Sequence, residues 1–271
     1  MRTVAHLSDI HFGRTDPAVV TAATIAVNEI RPDLVAVSGD LTQRARSYQF
    51  REARAFLDSL PQPQIVVPGN HDVPLHNVLA RFMTPLEKYR HYITNDLQPF
   101  YADEEIAVLG INTARSWTFK GGRINRFQVS DMRQKFCPLD DSVVKVVVSH
   151  HPFDLPEGRN ERDLVGRARM AMEIFASCGA DLFLAGHLHL AHTGHTATRY
   201  KIKGHSALVV QAGTTTSTRG RGEANSFNVL RLEHPHIEVE RFGWDVSSNR
   251  FAPLTVEKFE HGDNGWVRVG E

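Results

Sequence analysis

The chain has 271 residues, 41% of them hydrophobic and 23% charged, with thirty-one basic side chains balanced by thirty-one acidic ones. That is enough chain for a sizeable core and an ordinary globular composition, and the zero net charge argues against a dedicated nucleic-acid binder. Two cysteines, Cys137 and Cys178, are too few for a disulfide framework or a cysteine-built metal site, and no apolar run approaches the roughly 20 residues of a membrane helix.

The first half alternates strand and helix signals. Thr3 to Leu7 reads as a strand, followed by a helix from about Pro17 to Ile30, with Pro17 suited to the first helical turn. Leu34 to Ser38 is the next strand, Ser47 to Leu60 the next helix, and Ile65 to Val67 a third strand ended by Pro68-Gly69. This spacing predicts parallel strands with helical crossovers. Pro74 to Phe100 is less regular and reads as a partly helical insertion; Arg81, Lys88, Tyr89 and Arg90 could cap a site there and contact substrate. A strand at Ile106 to Ile111 follows, then one at Val143 to Val148 and a helix near Asp163 to Cys178 stopped by Gly179. After His189 come shorter segments, Ala207 to Gln211, Phe227 to Leu232, Ile237 to Phe242 and Leu254 to Phe259, which read as antiparallel strands of a second sheet. The expected architecture is α/β: two sheets in a sandwich with outer helices, in one domain over residues 1–271 with a cap insertion at 74–100.

Five polar clusters directly follow the apolar runs: Asp9-Ile10-His11, Gly39-Asp40, Gly69-Asn70-His71-Asp72, His150-His151 and Gly186-His187-Leu188-His189. Strand ends are where open α/β sheets place ligand sites, so these side chains are expected at one sheet edge. Asp9 and His11 could bind one ion. Asp40, with two oxygens, could bridge two cations about 4 Å apart. Asn70 offers an amide oxygen; His150, His187 and His189 offer imidazoles. Nitrogen and oxygen donors without thiolate suit Mn, Fe or Zn better than Ca or Mg. A lone Asp-x-His is ordinarily structural, but the complete ordered set is not explained that way.

The set resembles the calcineurin-like metallophosphoesterase superfamily, whose pattern is D-x-H, G-D, G-N-H-[DE], H and G-H-x-H, here spanning residues 9 to 189. The resemblance implies a four-layer α-β-β-α sandwich and two metal ions. It assigns one ion to Asp9, His11, Asp40 and His189, and the other to Asp40, Asn70, His150 and His187. It further implies phosphoester hydrolysis through a metal-bridging hydroxide, with His71 donating a proton to the leaving oxygen. Gln43 stands where the protein-phosphatase branch carries an aspartate that orients this histidine, which argues against that branch and leaves the orienting partner of His71 open. Arg44 aligns with a phosphate-binding arginine of that branch. The opening His6 to Gly13 looks most like bacterial class III cyclic-nucleotide phosphodiesterases. The expected activity is therefore hydrolysis of a small phosphodiester such as a cyclic nucleotide. A nuclease or a nucleotide-pyrophosphate hydrolase of the same superfamily is the nearest alternative, and a metal-poor protein-interaction scaffold the alternative of a different class. The expected partner is a small-molecule phosphoester, with no strong nucleic-acid signal; a homo-oligomer is compatible, and the expected location is cytoplasmic. Gly220 could mark another site-edge loop, and His192, His195 and His205 are read as supporting or surface residues.

Overall fold

The computed structural model describes residues 1–75, 77–118, 121–203, 205–218 and 222–270. Gly220 and its flanking Arg219 and Arg221 lie outside the described residues. Strand β1 (Arg2–Leu7) leads through helix α1 (Pro17–Ile30) to β2 (Leu34–Val37), and α2 (Ser47–Asp58) leads to β3 (Gln64–Val66). Both pairings, β1 with β2 and β2 with β3, are parallel. Helix α1 shows how the sequence sets this layer. Asp16 caps it by accepting from Ala18 N at 2.9 Å, Pro17 occupies its first turn, and Val19, Ala22, Ala23, Ala26 and Val27 recur at helical spacing on its buried face.

The insertion carries two short helices, α3 (Val78–Met83) and α4 (Glu87–Tyr92), and runs into β4 (Phe100–Ala102), an edge strand not expected from the sequence. The residues expected to contact substrate there also bond within the protein. Tyr89 is buried and donates to Val66 O at 3.0 Å, Lys88 Nζ donates to Ala45 O at 3.1 Å, and Arg90 donates to Asn95 O at 3.0 Å. Next come β5 (Ile106–Ile111), α5 (Arg126–Phe136), β6 (Val144–Ser149), α6 (Ala168–Ser177) and β7 (Leu182–Ala185). Helix α6 starts later than expected because Glu161–Asp163 forms a separate single turn.

The late segments do not make a sheet of their own. Of β8 (His192–His195) and β9 (Leu208–Gln211), β9 lies parallel to β7 and β8 closes the edge, giving a six-stranded sheet in the order β4-β5-β6-β7-β9-β8. The last four strands, β10 (Ser226–Glu233), β11 (His236–Asp245), β12 (Arg250–Gly262) and β13 (Gly265–Val269), extend the first sheet to seven strands, β13-β12-β11-β10-β1-β2-β3. Strand β10 is antiparallel to β1, so antiparallel texture marked a change of direction, not a change of sheet. Three apolar layers result. Val4, Ala36, Val146, Leu184 and Leu230 pack between the sheets, while α1 and α2 cover the first sheet and α5 and α6 the second. The expected four-layer α-β-β-α order is what the chain adopts. Among the described residues, no helix is long and apolar enough to cross a membrane.

Cys137 and Cys178, expected to form no disulfide framework, are joined across 41 residues, just beyond the ends of α5 and α6. A closed loop of that length removes unfolded-state entropy worth about 4 kcal/mol. Under oxidising conditions the double replacement Cys137→Ala, Cys178→Ala should therefore lower unfolding free energy by about 2–4 kcal/mol in urea titrations. Under reducing conditions the difference should nearly vanish.

Candidate metal centre

The carboxyl ends of β1, β2, β6 and β7 and the turn after β3 converge, and they deliver all seven expected donors to one place. The loops beyond β1 and β2 go on pairing after the strands stop: Asp9 N donates to Gly39 O at 3.1 Å and His11 N to Asp40 O at 2.9 Å. Five of the donors, Asp9, His11, Asp40, His187 and His189, have φ between 51° and 71°. Left-handed backbone is costly for such residues and persists only where the surroundings enforce it, often at functional sites. Gly39, at φ 88°, allows the close approach behind Asp40; a Cβ there would lie 2.8 Å from His150 Cβ. At Gly186 a side chain would collide with Ser8 and Asp9.

The donor atoms fall into two groups. In the first, Asp9 Oδ1 lies 3.2 Å from His189 Nε2 and 3.5 Å from His11 Nε2, the two imidazole nitrogens are 3.4 Å apart, and His11 Nε2 is 3.7 Å from Asp40 Oδ2. In the second, His150 Nε2 lies 3.4 Å from the same Asp40 Oδ2, 3.0 Å from Asn70 Oδ1 and 3.3 Å from His187 Nδ1, which is 3.1 Å from Asn70 Oδ1. Ligands about 2.1 Å from one ion are separated by about 3.0–3.4 Å in octahedral or tetrahedral arrangements. The second group has that spacing throughout, and the first, at 3.2–3.7 Å, is slightly more open.

Hydrogen bonding behind the donors fits the same reading. Asp9 Oδ2 accepts from Ser8 Oγ at 2.7 Å and from His187 N at 3.0 Å, while Oδ1 is buried, has no hydrogen-bond partner among the described residues, and faces the two imidazoles. His150 Nδ1 lies 2.8 Å from Ser38 O; a carbonyl only accepts, so Nδ1 carries a proton and Nε2 is the nitrogen turned to the donors. Against the effect of burial, the Asp40 carboxylate raises the ring's pKa to about 9, and a bound cation would take the place of the second proton. Burial works against charge on Asp9 and Asp40. The imidazoles nevertheless hold both well below the usual carboxylate range, through His11 and His189 at Asp9 and chiefly His150 at Asp40. Burial, reinforced by His150, lowers His187 to about 3. Charged carboxylates and a neutral imidazole are the forms that bind cations.

The chain was compared with known proteins. A model of the calcineurin-like phosphoesterase family matches residues 2–191. The chain belongs to the calcineurin-like phosphoesterase family. Within curated proteins it is 36% identical over 174 residues to the glycerophosphodiester phosphodiesterase GpdQ of Enterobacter lignolyticus, covering 59% of this chain and 60% of that protein. It is 26% identical over 167 residues to a probable GpdQ of Arcobacter nitrofigilis, covering 60% and 59%. The chain thus spans about three-fifths of the length of these relatives. Among solved structures, a dimetal phosphatase from Danio rerio superposes with a TM-score of 0.65 at 13% identity, covering 94% of this chain and 98% of that one, a likeness of fold.

Two residues that stand in the clusters but were given no role there, Asp72 and His151, support the donors. Asp72 is buried and accepts from Gly69 N, Leu41 N, Thr42 N and Thr42 Oγ1 at 2.9–3.1 Å, tying the second and third clusters together. Burial and the nearby Asp40 raise its pKa to about 6 against those donors. His151 is buried, with Nδ1 2.8 Å from Thr113 Oγ1 and its ring 4.7 Å from that of His187. Its position beside His150 was the available signal. The open question of His71 has an answer in the backbone. His71 Nδ1 lies 2.9 Å from Gln43 O, a bond in which the ring must donate, and His71 N donates to Asp40 Oδ1 at 2.8 Å. Arg44 is exposed beyond Gln43, its backbone N bonded to Gln49 Oε1 at 3.0 Å.

His6 stands behind the centre, fully buried, with Nε2 2.9 Å from Ser38 Oγ. Burial lowers its pKa from 6.5 to about 3. The folded value lies below the unfolded one, so the neutral ring's contribution is intact above pH 6.5 and is lost as pH falls. Relative to His6→Gln, the wild type should lose about 1.4 kcal/mol more stability per pH unit below 6.5. Chemical denaturation of both proteins at pH 7 and pH 5 checks this, and parallel pH dependence would exclude His6 as the source.

Proposed function

We propose that the chain is a dinuclear metal-dependent phosphodiesterase acting on a small phosphodiester. The observation that carries this reading is the sharing of Asp40 Oδ2 between two donor groups with ligand-like spacing. Asp9, His11, Asp40 and His189 would hold one ion, and Asp40, Asn70, His150 and His187 the other, drawn from Mn, Fe or Zn. When bound, such a pair supplies a water of lowered pKa and neutralises charge on the phosphoryl oxygens.

The protein's own groups supply the rest. Asp40 Oδ1 holds the amide of His71 while its other oxygen faces the donors, so one carboxylate fixes both metal ligands and acid. With Nδ1–H given to Gln43 O, His71 has Nε2 as the nitrogen that passes a proton to the leaving oxygen. A backbone carbonyl fulfils the orienting role for which the protein-phosphatase branch uses an aspartate. Arg44, exposed on the same loop, is the residue we assign to the distal part of the substrate.

The relatives are named for glycerophosphodiesters and the opening motif resembles cyclic-nucleotide enzymes, so the substrate is placed in the class of small phosphodiesters. Hydrolysis of bis-p-nitrophenyl phosphate, cyclic nucleotides, glycerophosphodiesters, nucleotide pyrophosphates and phosphomonoesters by Mn-loaded protein tests it. Diesters are expected to be preferred; activity confined to monoesters or to polynucleotides would overturn the assignment. The reading places the chain in the cytoplasm, where the reducing pool would hold Cys137 and Cys178 as thiols. Recovery of the pair as a disulfide after acid trapping of cells would move the chain to an oxidising compartment.

A further inference from the structure

Helix α3 and the loop after β5 form a continuous apolar surface. Val78, Leu79, Phe82 and Met83 on α3 are 66, 74, 42 and 73% exposed, and Trp117 on the loop is 85% exposed. The surface is built: buried Arg81 donates from Nε to Ser116 O and from Nη2 to Thr118 O, both at 2.7 Å, and the rings of Phe82 and Trp117 lie 4.8 Å apart. Both of its segments are joined through the chain to the surroundings of the metal centre. Asp72 lies six residues before α3, and farther along the loop Gly122 packs so closely on His151 that a side chain there would collide with the ring. An exposed apolar patch of this kind marks an interaction site more often than an accident.

Charge around the patch narrows the partner. Met83 and Ser116 share a cavity of about 850 Å³ with Arg90, Arg115 and a single carboxylate, Glu87. Farther along the same loop Arg123 is exposed, and the sequence from Ile106 to Phe127 holds no acidic residue. A second copy meeting this face across a two-fold axis would set cations against cations. Nucleic acid would find stacking faces on Phe82 and Trp117, but the more exposed part of α3, Val78, Leu79 and Met83, offers none to a base. Aliphatic and aromatic side chains rimmed by arginine match the chemistry of a lipid interface with anionic headgroups.

We propose that α3 and Trp117 dock the protein on an anionic lipid surface, the apolar side chains entering the headgroup boundary and the surrounding arginines meeting lipid phosphates. Docking would bring the edge of the metal centre to the membrane, where phosphodiesters are abundant. Flotation of the metal-loaded full chain with vesicles of phosphatidylcholine, with and without phosphatidylglycerol, tests it. The wild type should float with the anionic vesicles, less at high salt, and Leu79→Ser or Trp117→Ser should weaken partitioning roughly tenfold. Both variants should keep the unfolding midpoint and the bis-p-nitrophenyl phosphate hydrolysis of the wild type. Absence of flotation, flotation of the variants equal to wild type, or a concentration-dependent dimer that Leu79→Ser abolishes would each overturn the proposal, the last by assigning the patch to a second copy.

Discussion

Replacing Asp40 with alanine should leave at most one metal ion per chain after dialysis and lower kcat/KM on bis-p-nitrophenyl phosphate by roughly 10³-fold or more. The expectation rests on one atom with two neighbours: Asp40 Oδ2 is 3.7 Å from His11 Nε2 and 3.4 Å from His150 Nε2. Removing it takes a negative charge from both donor groups at once and leaves buried His150 without the carboxylate beside its Nε2. It also removes the acceptor for His71 N. Asp40→Asn separates these effects, because the amide keeps an acceptor for His71 N while losing the charge. It should lose metal nearly as badly as Asp40→Ala while unfolding at a midpoint close to wild type. If either variant retained two ions with ordinary affinity, the bridging assignment would be wrong.

His71→Ala should behave in the opposite way. Its ring is bonded through Nδ1 to Gln43 O, and it belongs to neither donor group, so both ions should stay while turnover slows by roughly 10²–10⁴-fold. The loss should also depend on the leaving group. A good leaving group such as p-nitrophenolate needs little protonation, so the deficit should be small with bis-p-nitrophenyl phosphate and large with an alkyl phosphodiester. An equal deficit on both, or loss of one ion, would sink the acid role. Gln43 offers a control: the 2.9 Å bond to His71 Nδ1 comes from its backbone carbonyl and its side chain adds a longer contact of 3.4 Å, so Gln43→Ala should leave His71 oriented and cost far less than His71→Ala.

The contrast between these variants reflects how unevenly the sequence exposed its own structure. The donors were legible because each follows a short, largely apolar run such as Val144 to Ser149 or Leu182 to Ala185, and strand ends are the places where a sheet can gather polar groups. Helix α1 was legible from Pro17 and its apolar spacing. Helix α5 was passed over although its signals were present: Asn125 and Gln128 form a reciprocal capping box at 2.9 and 3.0 Å, and Val129, Met132 and Phe136 recur on its buried face. The sheet membership of β10 to β13 was not legible, because alternation reveals that a strand has two faces but not which neighbour it pairs with. The pairing of β10 with β1 is a contact between residues more than two hundred positions apart.

The centre shows the same division. Residue types named the donors, and the motif alignment pointed to position 43, but the bond to His71 comes from the Gln43 carbonyl, a group every residue possesses and no residue type reveals. The left-handed backbone at Asp9, His11, Asp40, His187 and His189 is likewise a product of the assembled loops. Arg81 reversed its expected role: read as a residue that might meet substrate, it is buried beneath α3 and clamps the loop after β5.

The central claim is that two ions share Asp40 and that both are needed for hydrolysis. It is tested most directly by adding Mn(II) stepwise to metal-free protein while following both bound metal and hydrolysis of bis-p-nitrophenyl phosphate. The account predicts two ions bound per chain, with activity that tracks filling of the second. Full activity at one ion per chain, or two bound ions without hydrolysis of any phosphodiester, would contradict it.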